Sequence, residues 1–143
     1  MQPETASWLN ESRGSFGAAR SRFNDISSMD VTGAGALFLS AEYAVKAVIV
    51  EHYGVLPPSF ETHHRIVNLS HLIGLWWQLP PDLRAYLADI APLDPSVGYS
   101  RETEYETLVL SSSNAEWQQR LATEPRFIQY IERDVIGNPG HLR

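Results

Sequence analysis

GAGALFLSAEYAVKAVIVEH, residues 33–52, is the stretch that decides the fold. Its apolar residues recur three or four positions apart, which is the spacing of one helix face. Further apolar residues fill most of the remaining circumference, and such a helix must be buried nearly all round. Its length also matches a bilayer, but Glu42 and Lys46 near its middle make membrane insertion costly. The stretch therefore predicts the central core helix of a soluble domain.

The composition narrows the class of protein. A chain of 143 residues corresponds to one domain, residues 1–143. It contains no cysteine, which excludes disulfides, thiolate zinc sites and cysteine nucleophiles. The start, MQPETASWLNES, has acids where a secretory signal needs bases, so we expect a cytoplasmic protein without a membrane segment. The net charge of −6 repels nucleic acid, so binding RNA would need a local basic patch.

Helical spacing continues on both sides of the central stretch. It predicts four more helices: residues 5–26, about 63–78, 82–91, and those from 115 onward. Residues 101–113 fit either a loop or a helix, because the TLVL run in them has no second strand to pair with. Thr123-Glu124-Pro125 predicts a break in the last helix, and residues 137–143 predict a frayed tail. The expected fold is all-α, an up-and-down helical bundle of about five helices.

The order of motifs around the central helix resembles a known family. Ala41, Glu42, Ala44, Lys46 and Ala47 form an A-E-x-A-x-K-A string. Gly54, Pro57, Thr62-His63 and Leu69 follow it in order. This arrangement is similar to the HEPN domain over about residues 5–80. In the second half, Tyr99 and Arg101 stand where that family has a Tyr-x-Arg-Tyr-Pro-like stretch.

The resemblance implies a bundle that forms a homodimer and one of two activities. One HEPN branch accompanies a minimal nucleotidyltransferase in bacterial two-gene systems of the toxin–antitoxin kind, and is regarded as a nucleotide-binding module. The other branch contains metal-independent ribonucleases, whose signature is an Arg, four to six residues, and a His. In those enzymes the Arg and His of two protomers meet across the dimer and act on RNA.

Arg65 and His71 fit the ribonuclease spacing, with five residues between them. A histidine moves protons near neutral pH, and an arginine stabilises a developing negative charge on phosphate. However, residues six apart on a regular helix lie about 240° apart around its axis and do not share a face. The alternative is that the spacing is coincidental.

Glu42 and Lys46 are a second candidate site. They lie four residues apart, so they share one stripe of the central helix. One interpretation is a surface ion pair. The other is a polar notch that faces His63 and holds a phosphate through Lys46, with Arg101 as a second cation. With Tyr99, placed by the resemblance, these residues form the predicted ligand-binding set.

Other polar and aromatic clusters favour structural roles. His64, Asn68 and His71 share a helical stripe, but no carboxylate joins them, so we expect no metal and no cofactor. Trp76-Trp77 lacks interleaved basic residues, so it indicates core or dimer surface rather than a base-stacking platform.

Three hypotheses for function follow from the sequence. The first is a non-catalytic HEPN-like module that dimerises and binds a nucleotide or a protein partner such as a nucleotidyltransferase. The second is a toxin-type ribonuclease that acts on RNA through Arg65 and His71. The third is a structural or interaction domain without a small ligand.

Overall fold

The computed structural model describes residues 1–57, 65–96 and 101–138. Six α-helices lie in these ranges, and none of their residues is in a β-strand: α1 Pro3–Ile26, α2 Val31–Tyr53, α3 Ile66–Leu72, α4 Pro81–Ile90, α5 Glu102–Leu110 and α6 Asn114–Tyr130. Short 3₁₀ turns, Trp76–Gln78 and Ala91–Leu93, flank α4, and a π-helical turn, Ile131–Ile136, extends α6. The prediction of an all-α helical fold is confirmed, but the predicted number of five helices is too low by one.

Helix α2 is the centre of the core, as its sequence predicts. Leu37, Val45, Val48 and Ile49 have no accessible surface, and Phe38 has 1%. Among the described residues, α2 alone is long and apolar enough to cross a membrane, and 72% of its most apolar window is buried by the rest of the protein. Burial of this extent is typical of a core helix.

The polar residues of α2 have separate local partners. Glu51 accepts hydrogen bonds from the backbone N–H of Gln2 at 2.9 Å and from the Thr5 hydroxyl at 3.0 Å. It thereby satisfies donors at the start of α1 and fixes that helix against the end of α2. Asp30 begins α2 by accepting from the backbone N–H of Gly33 at 2.9 Å, and Gly54, at φ 84°, ends it. An Asp at the N-cap and a Gly in the left-handed conformation at the C-terminal end are the residues that these two positions favour.

Two predicted helix boundaries are wrong for identifiable reasons. The helix expected over residues 63–78 ends at Leu72, because Gly74 adopts φ 74° and turns the chain into the 3₁₀ turn. The last helix begins one residue earlier than expected, at Asn114. Its cap is the Ser113 side chain, which exchanges hydrogen bonds with Glu116 in a capping box.

The break predicted at Thr123-Glu124-Pro125 is also wrong. Helix α6 runs through Pro125, whose side of the helix faces solvent. Proline removes one backbone hydrogen bond from the interior of a helix. The burial of apolar side chains on both sides of Pro125 offsets this loss. Trp117 and Leu121 before the proline and Phe127 and Ile128 after it are all buried. The ambiguous residues 101–113 form α5, whose inner face is Tyr105 and Val109.

Candidate functional site

A surface groove of about 580 Å³ brings two of the predicted site residues together. Arg65, the residue before α3, and Arg101, the residue before α5, both line it although they are 36 positions apart in the chain. The other described residues that line it are Pro92, Ser96, Glu104, Tyr105 and Leu108. We call this the arginine groove. Its volume is within the 300–1,000 Å³ or so that is usual for small-ligand sites.

The wall of the arginine groove is held rigidly by Tyr105. This side chain is 4% exposed, and its hydroxyl donates to the Leu93 carbonyl at 2.6 Å, which joins α5 to the turn after α4. Burial, with a smaller contribution from Asp94, raises the pKa of Tyr105 to about 12, so it stays a neutral donor. Gly35 of α2 lies beneath, where an added Cβ would contact Pro95 at 3.4 Å and the Tyr105 hydroxyl at 3.8 Å.

The two arginines of the groove are accessible to a ligand. Arg65 is exposed, and the Arg101 side chain retains 67% of its surface. Within the described residues Arg101 forms an ion pair with Glu104 at 3.7 Å, and the Glu104 side chain is 71% exposed. A pair this long and this exposed contributes little and is easily exchanged for a stronger anion.

The structure does not bring Lys46 to Arg101. The ammonium of Lys46 is 3.0 Å from Glu42 Oε1 and lies over the rings of Trp8, at 5.3 Å, and Tyr43, at 5.9 Å. Lys46 is eleven residues from Gly35, so it lies about 16 Å along α2 from the arginine groove. With its side chain 13% exposed, Lys46 forms an intramolecular ion pair and cation–π contacts. His63, the other part of the predicted notch, is outside the described residues, as is Tyr99.

His71 is on a different surface from the arginine groove. Its ring stacks on Trp76 at 4.9 Å and meets the edge of Trp77 at 6.0 Å. Trp77 is 71% exposed, neighbouring Leu72 is 58% exposed, and Arg84 of α4 lies 5.1 Å from the Trp77 ring. His71, Leu72, Trp77 and Arg84 thus form an aromatic patch on the surface. Within one chain, Arg65 and His71 are at opposite ends of α3.

The sequence interpretation missed a fully buried acid, Glu124 of α6. It has no accessible surface and accepts a hydrogen bond from the Tyr86 hydroxyl at 2.8 Å. Its second oxygen is 2.7 Å from the hydroxyl of Ser40, and Ser40 also contacts Ser12 of α1. Burial raises the pKa of Glu124 to about 8, although the hydrogen bonds from Ser40 and Tyr86 oppose the shift. Four helices, α1, α2, α4 and α6, therefore meet at this carboxyl group.

A signal for Glu124 was present in the sequence. Trp117, Leu121, Glu124 and Ile128 recur at intervals of four, three and four, so a continuous helix places the glutamate on the apolar stripe. The break expected at Pro125 concealed this stripe. Ser40 is a polar residue within the apolar central helix, and its partner Glu124 was not predictable without the packing of α6 on α2.

The described residues contain no group of three or more His, Asp or Glu side chains arranged to hold a metal ion. Comparison of the chain with protein-family models, with curated proteins and with solved structures finds no match in any of the three. The assignment of a function therefore depends on the geometry of the chain itself.

Proposed function

We propose that the protein is a HEPN-like helical module that binds the phosphate groups of a nucleotide in the arginine groove. The observation that carries this proposal is the convergence of Arg65 and Arg101 on one groove from distant parts of the chain. Guanidinium groups match phosphate oxygens in a bidentate manner, and two of them offer charge to successive phosphates. Because the protein as a whole is negatively charged, a local arginine pair is required to concentrate an anion at this place.

The rest of the groove favours a ligand with an uncharged part. Leu108 and Pro92 supply apolar surface, and Ser96 supplies a polar group beside them. A nucleotide combines a charged phosphate with a flat, largely uncharged base, so it suits a groove of this mixed character better than inorganic phosphate does. Nucleotide binding in this groove requires no metal ligand and no catalytic group from the protein.

The nucleotide proposal is tested with ADP as the probe in isothermal titration calorimetry. We expect Arg101→Ala to weaken ADP binding about tenfold or more, since a hydrogen bond to a charged group contributes about 1.5–3 kcal/mol. Arg133→Ala, which removes an exposed arginine outside the groove, is the matched control and should leave the affinity unchanged. Loss of binding in Lys46→Ala but not in Arg101→Ala would instead favour the notch around Glu42 and Lys46. If the wild type did not bind ADP, the remaining hypothesis would be a structural or interaction domain without a small ligand.

We further propose that the module forms a homodimer through the aromatic patch. Trp77 and Leu72 are exposed apolar side chains that are costly to hydrate, and an isologous dimer would cover both copies of the patch at once. The nucleotidyltransferase implied by the HEPN resemblance is the proposed protein partner of this dimer, and co-expression followed by co-purification tests it.

The dimer is tested by light scattering coupled to size-exclusion chromatography. We expect the wild type at tens of micromolar to have the mass of two chains and Trp77→Ala to have the mass of one. Leu110→Ala removes a comparably exposed apolar side chain on α5, away from the patch, and should remain dimeric. A monomeric wild type, or a dimeric Trp77→Ala variant, would contradict the assignment of this surface.

Ribonuclease activity is the second candidate function. His71 is exposed and lies in the proposed dimer surface, where a second chain would approach it. Arg65 is also accessible, so a dimer has both groups available for the metal-independent chemistry that HEPN ribonucleases use. In this case the purified protein cleaves RNA in the presence of EDTA, and His71→Ala should lose at least a hundredfold in rate, the usual contribution of a general acid or base. Equal rates for wild type and His71→Ala would exclude His71 from catalysis.

A further inference from the structure

The contact between α4 and α6 is built from polar groups around a buried acid. On α4, Asp82, Tyr86 and Asp89 lie at i, i+4 and i+7, so they share one face. Each has a partner on α6: Asp82 pairs with Arg126 at 2.6 Å, Tyr86 donates to Glu124 at 2.8 Å, and Asp89 pairs with Arg120 at 2.8 Å. We call these three contacts the α4–α6 seam. The two ion pairs are at the surface, and the Tyr86–Glu124 hydrogen bond lies beneath them.

The number of available protons shows which form of Glu124 fits this site. Ser40 has one hydroxyl proton but two acceptors in reach, Glu124 Oε2 at 2.7 Å and the Ser12 carbonyl at 2.8 Å. The Ser12 hydroxyl is already directed to the Ser40 carbonyl at 2.6 Å. A hydroxyl donates only one hydrogen bond, so Ser40 cannot donate both to Glu124 and to the Ser12 carbonyl. The carbonyl has no proton to donate, so in the other short contact the proton must come from Glu124.

A neutral Glu124 supplies that missing proton. Its Oε2–H donates to Ser40 Oγ, Ser40 then donates to the Ser12 carbonyl, and Tyr86 donates to Glu124 Oε1. Every proton and every acceptor at the junction then has a partner, in agreement with the absence of unsatisfied buried side-chain atoms in the described residues. The ionised form leaves a charge without a cation at the centre of four helices, and such a charge is strongly unfavourable.

A surface groove along the seam reaches the residues next to the acid. A groove of about 330 Å³ runs over the contact between α4 and α6. It is lined by Tyr86, which is hydrogen-bonded to Glu124, and by Thr123, which precedes Glu124 in the chain. The groups that contact the Glu124 carboxyl are uncharged, the hydroxyls of Ser40 on α2 and Tyr86 on α4, and the next group, the Ser12 hydroxyl on α1, is uncharged too. The charged groups around the seam are Asp82, Asp89, Glu116, Arg120 and Arg126. Arg13 on α1 is directed to Glu132 instead, at 2.8 Å.

We propose that the α4–α6 seam is a proton-controlled contact, which is closed while Glu124 carries its proton and opens to water when that proton is lost. Opening separates the two surface ion pairs and the Tyr86–Glu124 hydrogen bond, and it hydrates the carboxylate through the groove. Leu83, Leu87 and Ile90 hold the adjoining face of α4 in the core, so the opening is confined to the seam. The inference is independent of any nucleotide, since neither Arg65 nor Arg101 takes part.

Hydrogen–deuterium exchange of the full chain between pH 5 and 7.5 tests this inference, with labelling times scaled to keep intrinsic exchange constant. If Glu124 is protonated in the closed seam and ionised in the open one, the fraction of molecules with an open seam rises about tenfold for each pH unit. We therefore expect peptides from α4 and α6 of the wild type to lose protection with that slope and to be less protected at each pH than peptides from α1 and α2, which exchange only through global unfolding. Glu124→Gln, which keeps one donor and one acceptor but has no proton to lose, should show no slope. Equal slopes in the two proteins, or equal protection of all four helices at each pH, would overturn the proposal.

Tyr86→Phe provides a second variant that does not depend on the folding of Glu124→Gln. It removes a hydrogen bond that favours the ionised carboxylate while leaving the buried ring in place. With the exchange series of both proteins extended to about pH 9.5, the loss of protection should continue to higher pH than in the wild type. If the loss of protection ended at the same pH in this variant as in the wild type, that result would also contradict the proposal. Glu106→Gln, on the exposed side of α5, is the control for the change in net charge and should behave as the wild type does.

Discussion

The free energy of unfolding should fall by about 5 kcal/mol as the pH rises from 4.5 to about 8, because of Glu124 alone. Burial raises the pKa of this carboxyl from 4.5 to about 8 in the folded protein. In the unfolded chain the carboxyl loses its proton near pH 4.5, so between these two values the folded state binds one more proton. Stability therefore decreases with pH throughout this interval, by about 1.4 kcal/mol per unit, and becomes constant above it.

Other carboxyl groups do not mask this decrease. A hydrogen bond from Arg126 lowers the pKa of Asp82, and hydrogen bonds from Ser113 lower that of Glu116. The stability contributed by these two groups is present above their unfolded pKa near 4 and is lost only in more acidic solution. Their contribution is therefore constant over the interval in which Glu124 acts.

Urea denaturation at a series of pH values measures the effect, with Glu124→Gln as the reference. The difference in free energy between the wild type and this variant should change by several kcal/mol between pH 4.5 and 8. Glu106→Gln should give a difference that is nearly independent of pH, because Glu106 is exposed. A pH-independent difference for Glu124→Gln would show that the folded protein does not keep this carboxyl neutral.

The sequence was sufficient for those parts of the fold that depend on local periodicity. The burial of α2, its cap at Asp30 and its end at Gly54 follow from residues that are close together in the chain. The failures occur where a local signal competes with packing from elsewhere. Pro125 is a strong local break signal, but Trp117, Leu121, Phe127 and Ile128 bury the helix on both sides of it. Gly74 had the opposite effect, ending a helix whose apolar spacing continued.

The candidate site was predictable only in its components. The sequence identified three cations, Arg65, Arg101 and Lys46, but not which of them lie together. That depends on where each one stands along the helices and on the turn Ala91–Leu93, which brings α5 beside α2. One aromatic partner of Lys46 is Trp8 of α1, which is 38 positions away in the chain. Such contacts between distant segments have no signature in the spacing of one segment.

Helix α2 should also be the part of the chain that is most sensitive to truncation. Leu37→Ala is expected to lower the free energy of unfolding by about 3–5 kcal/mol, because Leu37 has no accessible surface and the cavity left behind cannot collapse against a packed core. Thermal or urea denaturation monitored by circular dichroism measures the loss. A domain of ordinary stability has a free energy of unfolding of about 5–15 kcal/mol, so this substitution would remove a large part of it.

Leu110→Ala is the matched control for the truncation of Leu37. It deletes the same atoms from a helix, but Leu110 is 67% exposed at the end of α5, so no cavity forms and the change should remain within about 0.5 kcal/mol. Leucine and alanine have similar helix propensities, so the comparison isolates burial from backbone preference. Similar losses for the two variants would mean that residues 33–52 are not the core that their periodicity indicates. A large loss for Leu37→Ala alone would establish that the helix around which the sequence is patterned also holds the protein together.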